Sequence, residues 1–322
     1  MSKWCAASRP DRSSSRFAAW PSTKLVGALR LPCRRTRPRL SRYSLSTVTT
    51  GLAFSKYEGI GNDFIVIDAA DERAVDREQA QRLCDRHFGI GADGVLLVLP
   101  PNSDACAARM RVLNADGSVP EMCGNGLRCV ALRVAQLHGA TSGVFRIETD
   151  AGLRTCEVER SDGRTLVTVD MGLVTALGAE TIRIDGRSLQ LELADAGNPH
   201  AVLFGRFDRQ EIEHLGPRIE KCSVFPRGAN VEFATASTRG IELTVWERGV
   251  GLTLACGTGA CATVAVAARA GFVDHGVPVA VHLPGGMLTV TVRAGGATTM
   301  RGPARHVFSG TMDLAGSHTR QG

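Results

Sequence analysis

One short element occurs twice in this chain. Met122-Cys123-Gly124-Asn125-Gly126 runs into the helix-like stretch Leu127 to Val134, and Ala255-Cys256-Gly257-Thr258-Gly259 runs into Ala260 to Arg269, with the cysteines 133 residues apart. At an offset of 133, Arg111-Val112-Leu113-Asn114 lies over Thr244-Val245-Trp246-Glu247; at 136, Gly61-Asn62-Asp63-Phe64 lies over Gly197-Asn198-Pro199-His200. Two copies this long describe a duplicated pair of domains and not a solenoid, whose repeats are far shorter and more numerous. Matching strand–Gly loop–helix elements place two thiols in equivalent settings. That arrangement suits an enzyme that takes a proton from one face of a carbon and returns one to the other.

Strands are expected at 64–68, 94–99, 110–113, 144–148, 166–169, 190–193, 201–204, 230–233 and 242–246, from short apolar or alternating runs bounded by Gly, Asp, Asn and Pro. Helices are expected at 76–86, 126–136, 208–214 and 258–270, and a hairpin around Asp162-Gly163. Many strands and few helices give an α+β class, each half a curled, mostly antiparallel sheet around a central helix. The expected division is a 53–169 domain and a 170–315 domain, whose last strand can return to the first.

Residues 1–52 read as a disordered basic extension. The first 50 hold eleven Lys/Arg, nine Ser and a single acid, Asp11; without them the 38 basic and 32 acidic residues become 27 and 31, so the formal charge of +6 turns to about −4. This is the composition of a transit peptide or of an upstream start in GC-rich DNA. The expected location is the cytoplasm, or a plastid if the extension is a true targeting signal. The acidic body gives no case for nucleic-acid binding. No apolar run is long enough for a membrane span.

A thiol at a helix start meets unpaired N–H groups and the positive end of the helix dipole, which favour thiolate. The same N–H groups can hold a carboxylate and the charge that spreads onto it when the α-proton leaves. One sulfur must then be thiolate and the other thiol. Cys84, Cys106, Cys129, Cys156, Cys222 and Cys261 read as buried, inert thiols. There is no Cys-x-x-Cys pair, so no metal is expected. Pyridoxal phosphate would need a Schiff-base lysine, and the body offers only Lys56 and Lys221, neither beside a phosphate-binding loop. No cofactor is therefore expected.

Gly59-Ile60-Gly61-Asn62-Asp63-Phe64, Asn114-Ala115-Asp116-Gly117, Met122 to Arg128, Gly197 to His200, Asn230-Val231-Glu232, Glu247-Arg248-Gly249 and Ala255 to Gly259 together resemble the diaminopimelate epimerase family, in order, from about residue 53 to about 315. The resemblance implies two pseudo-symmetric domains with the site in the cleft between them. It implies interconversion of LL- and meso-2,6-diaminopimelate on the way to lysine, without cofactor, with Cys123 and Cys256 as the acid–base pair. Carried over, Asn62, Asn114, Asn198, Asn230, Glu247 and Arg248 bind substrate. Arg248 offers a bidentate fork for a distal carboxylate. Gly124, Asn125, Gly257 and Thr258 hold the reacting carboxylate, and His200 and Glu247 tune the thiols. A homodimer is expected. One departure is Gly94 after Asp93, where some members place Gln.

Taken singly, the asparagines beside glycine could be plain turn residues, and Glu247-Arg248 an exposed charge pair. Proline racemases and hydroxyproline epimerases of the same fold carry His where Asn125 stands and Asp-Arg before the second cysteine. Two further classes compete: a redox or zinc-binding cysteine protein, which the cysteine spacing opposes, and a non-catalytic binder on the same scaffold, which the presence of both cysteines opposes. Activity should survive exhaustive dialysis against a chelator, and the protein should show no pyridoxal absorbance; a rate that depends on added metal or pyridoxal phosphate overturns the cofactor-free reading.

Overall fold

A computed structural model describes residues 51–120 and 123–313. The extension up to residue 50 lies outside the described residues. The first half contains β1 (Gly51–Gly59), β2 (Asn62–Asp68), α1 (Arg77–Cys84), β3 (Gly94–Leu99), β4 (Ala108–Asn114), α2 (Gly124–Leu137), β5 (Gly143–Thr149), β6 (Gly152–Ser161) and β7 (Arg164–Leu173). The second contains β8 (Thr175–Ile184), β9 (Arg187–Asp195), β10 (Pro199–Phe204), α3 (Arg209–Glu220), β11 (Asn230–Ser237), β12 (Gly240–Glu247), β13 (Gly251–Thr253), α4 (Gly257–Arg269), β14 (Val279–Leu283), β15 (Gly286–Val292) and β16 (Ala297–Pro303). β17 (Arg305–Asp313) returns to pair antiparallel with β1.

The two halves repeat the same pairing senses. β2 with β3 and β10 with β11 are parallel, each pair bridged by a helix; β3 with β4 and β11 with β12 are antiparallel hairpins. β4 with β5 and β12 with β14 are parallel, around α2 and α4. β7 and β16, the equivalent last strands of the two meanders, pair antiparallel with each other, Val169 opposite Met300. A local two-fold therefore passes near that pair.

α2 and α4 are the central helices. α2 packs against β1, β2 and β4 to β7; α4 packs against β8 to β11, β15 and β16. α4 is buried from Gly257 to Ala268, and α2 from Gly124 to Leu132 and at Val134 and Ala135, although α2 carries Asn125, Arg128, Arg133 and Gln136. This explains why each half curls around its helix: a helix buried over most of its circumference must be covered on most sides. α1 and α3 lie on the outer faces and begin with capping boxes, Asp76 with Gln79 and Asp208 with Glu211.

Four expectations need correction. Gly51 and Leu52 belong to β1, paired with Asp313 and Met312, and not to the extension. β7 runs unbroken through the expected 169/170 division. α3 continues beyond His214 to Glu220 with Pro217 inside it, because burial of Leu215 and Ile219 in the core outweighs the hydrogen bond the proline removes. Cys106 and Cys222 are only half-buried, in loop positions, Cys222 against the edge of a core cluster; Cys84, Cys129, Cys156 and Cys261 are buried as expected, with burial pushing each up to about 12.

The Gly59–Asn62 turn that carries Asn62 rests on Gly285. A Cβ there would stand 1.9 Å from the Ile60 carbonyl oxygen, and Ile60 itself sits at φ 52°. Gly285→Ala should therefore displace the turn, cost about 1–3 kcal/mol and lower the melting temperature; an unchanged melt would mean the turn is not braced there.

Candidate active site

Each cysteine is the N-cap of a central helix. Cys123 Sγ accepts from the Gly126 N–H at 3.3 Å, and Cys256 Sγ accepts from the Gly259 N–H at 3.3 Å. Only glycine fits the third position. A Cβ on Gly126 would lie 2.9 Å from Cys123 Sγ, and one on Gly259 would lie 3.2 Å from Cys256 Sγ. Gly124 and Gly257 serve another purpose. Their missing Cβ atoms make room for Met300, whose Cε lies 3.0 Å from the Gly124 position and whose Sδ lies 3.0 Å from the Gly257 position. Met300 is thus wedged between the two helix starts.

Asn125 ties the starts together. Its Nδ2 donates to Asn62 Oδ1 at 3.1 Å and to the Ala255 carbonyl, next to Cys256, at 3.2 Å. Its Oδ1 accepts from Arg128 Nη1 at 2.8 Å. Arg128 is fully buried, donates through Nε to the Pro303 carbonyl at 3.2 Å, and has its Nη2 unsatisfied among the described residues. Asn62 Nδ2 in turn donates to Asp93 Oδ2 at 2.6 Å, and Asp93 is held by Arg86 at 2.7 Å. Arg86 also bonds Asp63, which pairs with Lys56 at 2.6 Å.

A second network lies behind Cys256. Thr258 Oγ1 is 3.5 Å from Cys256 Sγ. His200, fully buried, places Nδ1 2.7 Å from Glu232 Oε1 and Nε2 2.8 Å from Asn198 Oδ1. Asn230 stands opposite His200 in the β10–β11 ladder, and its Oδ1 accepts the Arg248 N–H at 2.9 Å. The Glu247–Gly249 turn is held from outside by Glu220, which takes Trp246 Nε1 at 2.8 Å on one oxygen and the Gly249 N–H at 3.0 Å on the other. Arg248 packs its side chain on Gly228, where a Cβ would meet it at 3.2 Å.

Of the residues expected from sequence, Cys123, Cys256, Asn62, Gly124, Asn125, Gly257 and Thr258 gather at the two helix starts. Asn198, His200, Asn230 and Arg248 form the adjoining network, and Glu247 acts electrostatically on both thiols. Asn114 sits opposite Gly94 but donates to Ser118 Oγ in its own turn at 3.0 Å. Among the described residues, no side-chain hydrogen bond joins it to the others. Sequence reasoning gave no role to Arg128, Asp93, Glu220, Glu232 or Met300, although Arg128 and Glu232 stand within the motifs quoted above.

The electrostatics correct one expectation. The helix starts do pull the thiols toward thiolate, but burial outweighs them. Burial and Glu247 push Cys123 up to about 11, against the Gly126 N–H and Arg128; burial, Glu247 and Glu232 push Cys256 well up, against Thr258 and Gly259. Burial also raises Glu247 to about 7, with Glu232 adding to the rise and a 2.5 Å bond from Thr253 Oγ1 opposing it.

With this geometry in place, the diaminopimelate epimerase family model matches residues 54–177 and 193–307. The chain belongs to the diaminopimelate epimerase family. Diaminopimelate epimerases of Gloeothece citriformis and Desulfitobacterium hafniense are 41% and 42% identical to it, over 82% and 80% of this chain and 100% and 96% of their own. Among solved structures, a probable proline racemase from Agrobacterium radiobacter K84 matches with TM-score 0.68 at 16% identity, over 83% of this chain and 94% of its own. A hydroxyproline epimerase from Agrobacterium vitis matches with TM-score 0.65 at 16% identity, over 84% and 94%. These distant structures share the α+β two-repeat fold of the family.

Glu247 yields a stability test. Its folded value lies above its unfolded one, so stability is full below about pH 4.5 and declines until about pH 7, when the unfolded chain has ionised first. The decline amounts to about 3 kcal/mol. In urea unfolding at pH 5 and pH 7.5, Glu247→Gln should remove most of that loss; an equal loss in the variant would place the carboxylate in water.

Proposed function

We propose that this chain interconverts LL-2,6-diaminopimelate and meso-diaminopimelate by a two-base reaction, with Cys123 and Cys256 as base and acid, in lysine biosynthesis. The observation that carries this reading is the pair of thiols, each capping a central helix in the same cradle, at starts joined by Asn125. A carboxylate held by the N–H groups of Gly124, Asn125, Gly257 and Thr258 would set its α-carbon between the sulfurs. The thiolate removes the α-proton from one face, the electron pair spreads into the carboxylate, and the opposite thiol delivers its proton to the other face.

Arg128 opposes the rise at Cys123; Glu247 acts on both thiols, with Asp93 adding to the rise at Cys123 and Glu232 at Cys256. Asn62, Asn114, Asn198, Asn230, Glu247 and Arg248 would orient the substrate, Arg248 through a fork to the distal carboxylate. His200 and Glu247 would tune the thiols. Lys56 is committed to Asp63 and to the Gly91 carbonyl, which supports chemistry without a lysine Schiff base.

We further read the protein as cytoplasmic, or plastid if residues 1–52 direct it there; no helix among the described residues is long and apolar enough to cross a membrane. A homodimer fits the exposed Val307 and Phe308 on β17.

Incubation with LL-diaminopimelate in deuterium oxide tests the reading, by α-proton exchange and meso product. Cys123→Ala and Cys256→Ala should each abolish conversion, because each sulfur serves one face. Cys129→Ala and Cys261→Ala, within the helices, should keep most of it. Near wild-type conversion by Cys256→Ala would overturn the two-base mechanism.

A further inference from the structure

Each half can serve as a control for the other. β2 and β3 set Phe64 opposite Gly94 and Val66 opposite Leu96; β10 and β11 set His200 opposite Asn230 and Val202 opposite Glu232. At an offset of 136 the registers coincide, so His200 stands where Phe64 does and Glu232 where Leu96 does.

The thiol cradles coincide as well. The Cβ position on Gly126 lies 2.9 Å from Cys123 Sγ and 3.0 Å from Leu96 Cδ2. The Cβ position on Gly259 lies 3.2 Å from Cys256 Sγ and 2.8 Å from Glu232 Oε1. Hydrocarbon therefore backs Cys123, whereas a carboxylate backs Cys256 at no more than about 6 Å, the sum of the two distances.

Glu232 is an expensive choice for that place. It and His200 are both fully buried, and among the described residues Glu232 Oε2 has no hydrogen-bond partner. A buried polar pair is often no better for stability than the apolar residues that could replace it. The first half shows that the same backbone closes over Phe64 and Leu96.

We propose that Glu232 and His200 form a positioning pair that makes the two thiols unequal, keeping the resting proton on Cys256 and leaving the thiolate to Cys123. This deepens the assignment of the two cysteines as acid and base. Two identical cradles would share one proton without preference, and half the molecules would meet a given isomer in the wrong state. A carboxylate behind Cys256 alone removes that degeneracy. When Cys123 has taken the α-proton and Cys256 has given its own, the thiolate sits beside Glu232, which favours return to the resting form. The pair also orients Asn198: His200 Nδ1 faces Glu232 Oε1 and Nε2 faces Asn198 Oδ1, each an oxygen able to accept from a ring N–H.

Among the described residues, the charged or titratable groups acting on the two thiols and on Glu247 include Glu247 of β12, Glu232 of β11, His200 of β10, Asp93 before β3 and Arg128 of α2. Glu192 of β9 pairs with Arg269 at the far end of α4. Glu247 acts on both thiols, whereas Glu232 is among the principal influences on Cys256 and not on Cys123.

The test is site-resolved alkylation by iodoacetamide without substrate, followed by peptide mass spectrometry between pH 7 and 10. A charge removed at about 6 Å should lower the Cys256 midpoint by about one unit, giving ten times more thiolate. Because the less basic sulfur is a weaker nucleophile, Glu232→Gln should raise its alkylation rate about threefold. The Cys123 rate should stay within about 1.5-fold, since no comparable charge near it changes. The double variant His200→Phe/Glu232→Leu, which copies the first half's packing, should fold with a similar melting temperature and bring the two pH profiles closer. An unchanged Cys256 rate in either folded variant, or an equal rise at both cysteines, overturns the proposal. The readout needs no turnover, so it stands apart from the outcome of the Cys→Ala conversion assays.

Discussion

The antiparallel pairing of β7 with β16 governs the molecule. These strands close the two meanders, and joining them edge to edge relates the halves by a local two-fold. Whatever precedes α2 must then face whatever precedes α4. Met300 lies on this seam and fills the gap between the helix starts, and Asn125 crosses it to reach the Ala255 carbonyl. The glycines follow from the same closeness: at 124 and 257 a side chain would strike Met300, and at 126 and 259 it would strike the sulfur that the turn is built to hold.

Much of this was legible in the chain because it is written twice. The Cys-Gly-x-Gly copies located both central helices, and Asp162-Gly163 marked the β6–β7 hairpin, where both residues have positive φ. The expected end of α3 at His214 fell short, since local pattern cannot weigh the tertiary burial of Leu215 and Ile219. β8 was missed because none of its side chains is fully buried. β14 to β16 do alternate, and closer attention to period two would have found them.

The site was less legible than the fold. Arg128 lies within an apolar helix, and nothing in its neighbours announces that its guanidinium spans to Asn125 and Pro303. Glu232 is an acid at an inward strand position, a conflict of pattern that internal alignment with Leu96 exposes. Thiol ionisation could not be read from helix position alone. The dipole is a property of the helix end, but burial and the carboxylates of Glu232 and Glu247 come from the strands packed around it, and they prevail.

The offset between the halves changes from 136 to 133 along the chain, and the ladders locate the change. Leu99 stands opposite Arg109 as Thr235 stands opposite Glu242, so the hairpins agree in register along their shared length. The first then crosses an irregular tip, residues 100–107, whereas the second runs on to Ser237 opposite Gly240 and a two-residue turn. The three-residue difference is thus spent wholly at the hairpin tips, at the opposite end of the ladder from Gly94, Asn114, Asn230 and Glu247. Drift in chain length since duplication has been absorbed at that far rim, so the spacing of these residues has not had to change with it.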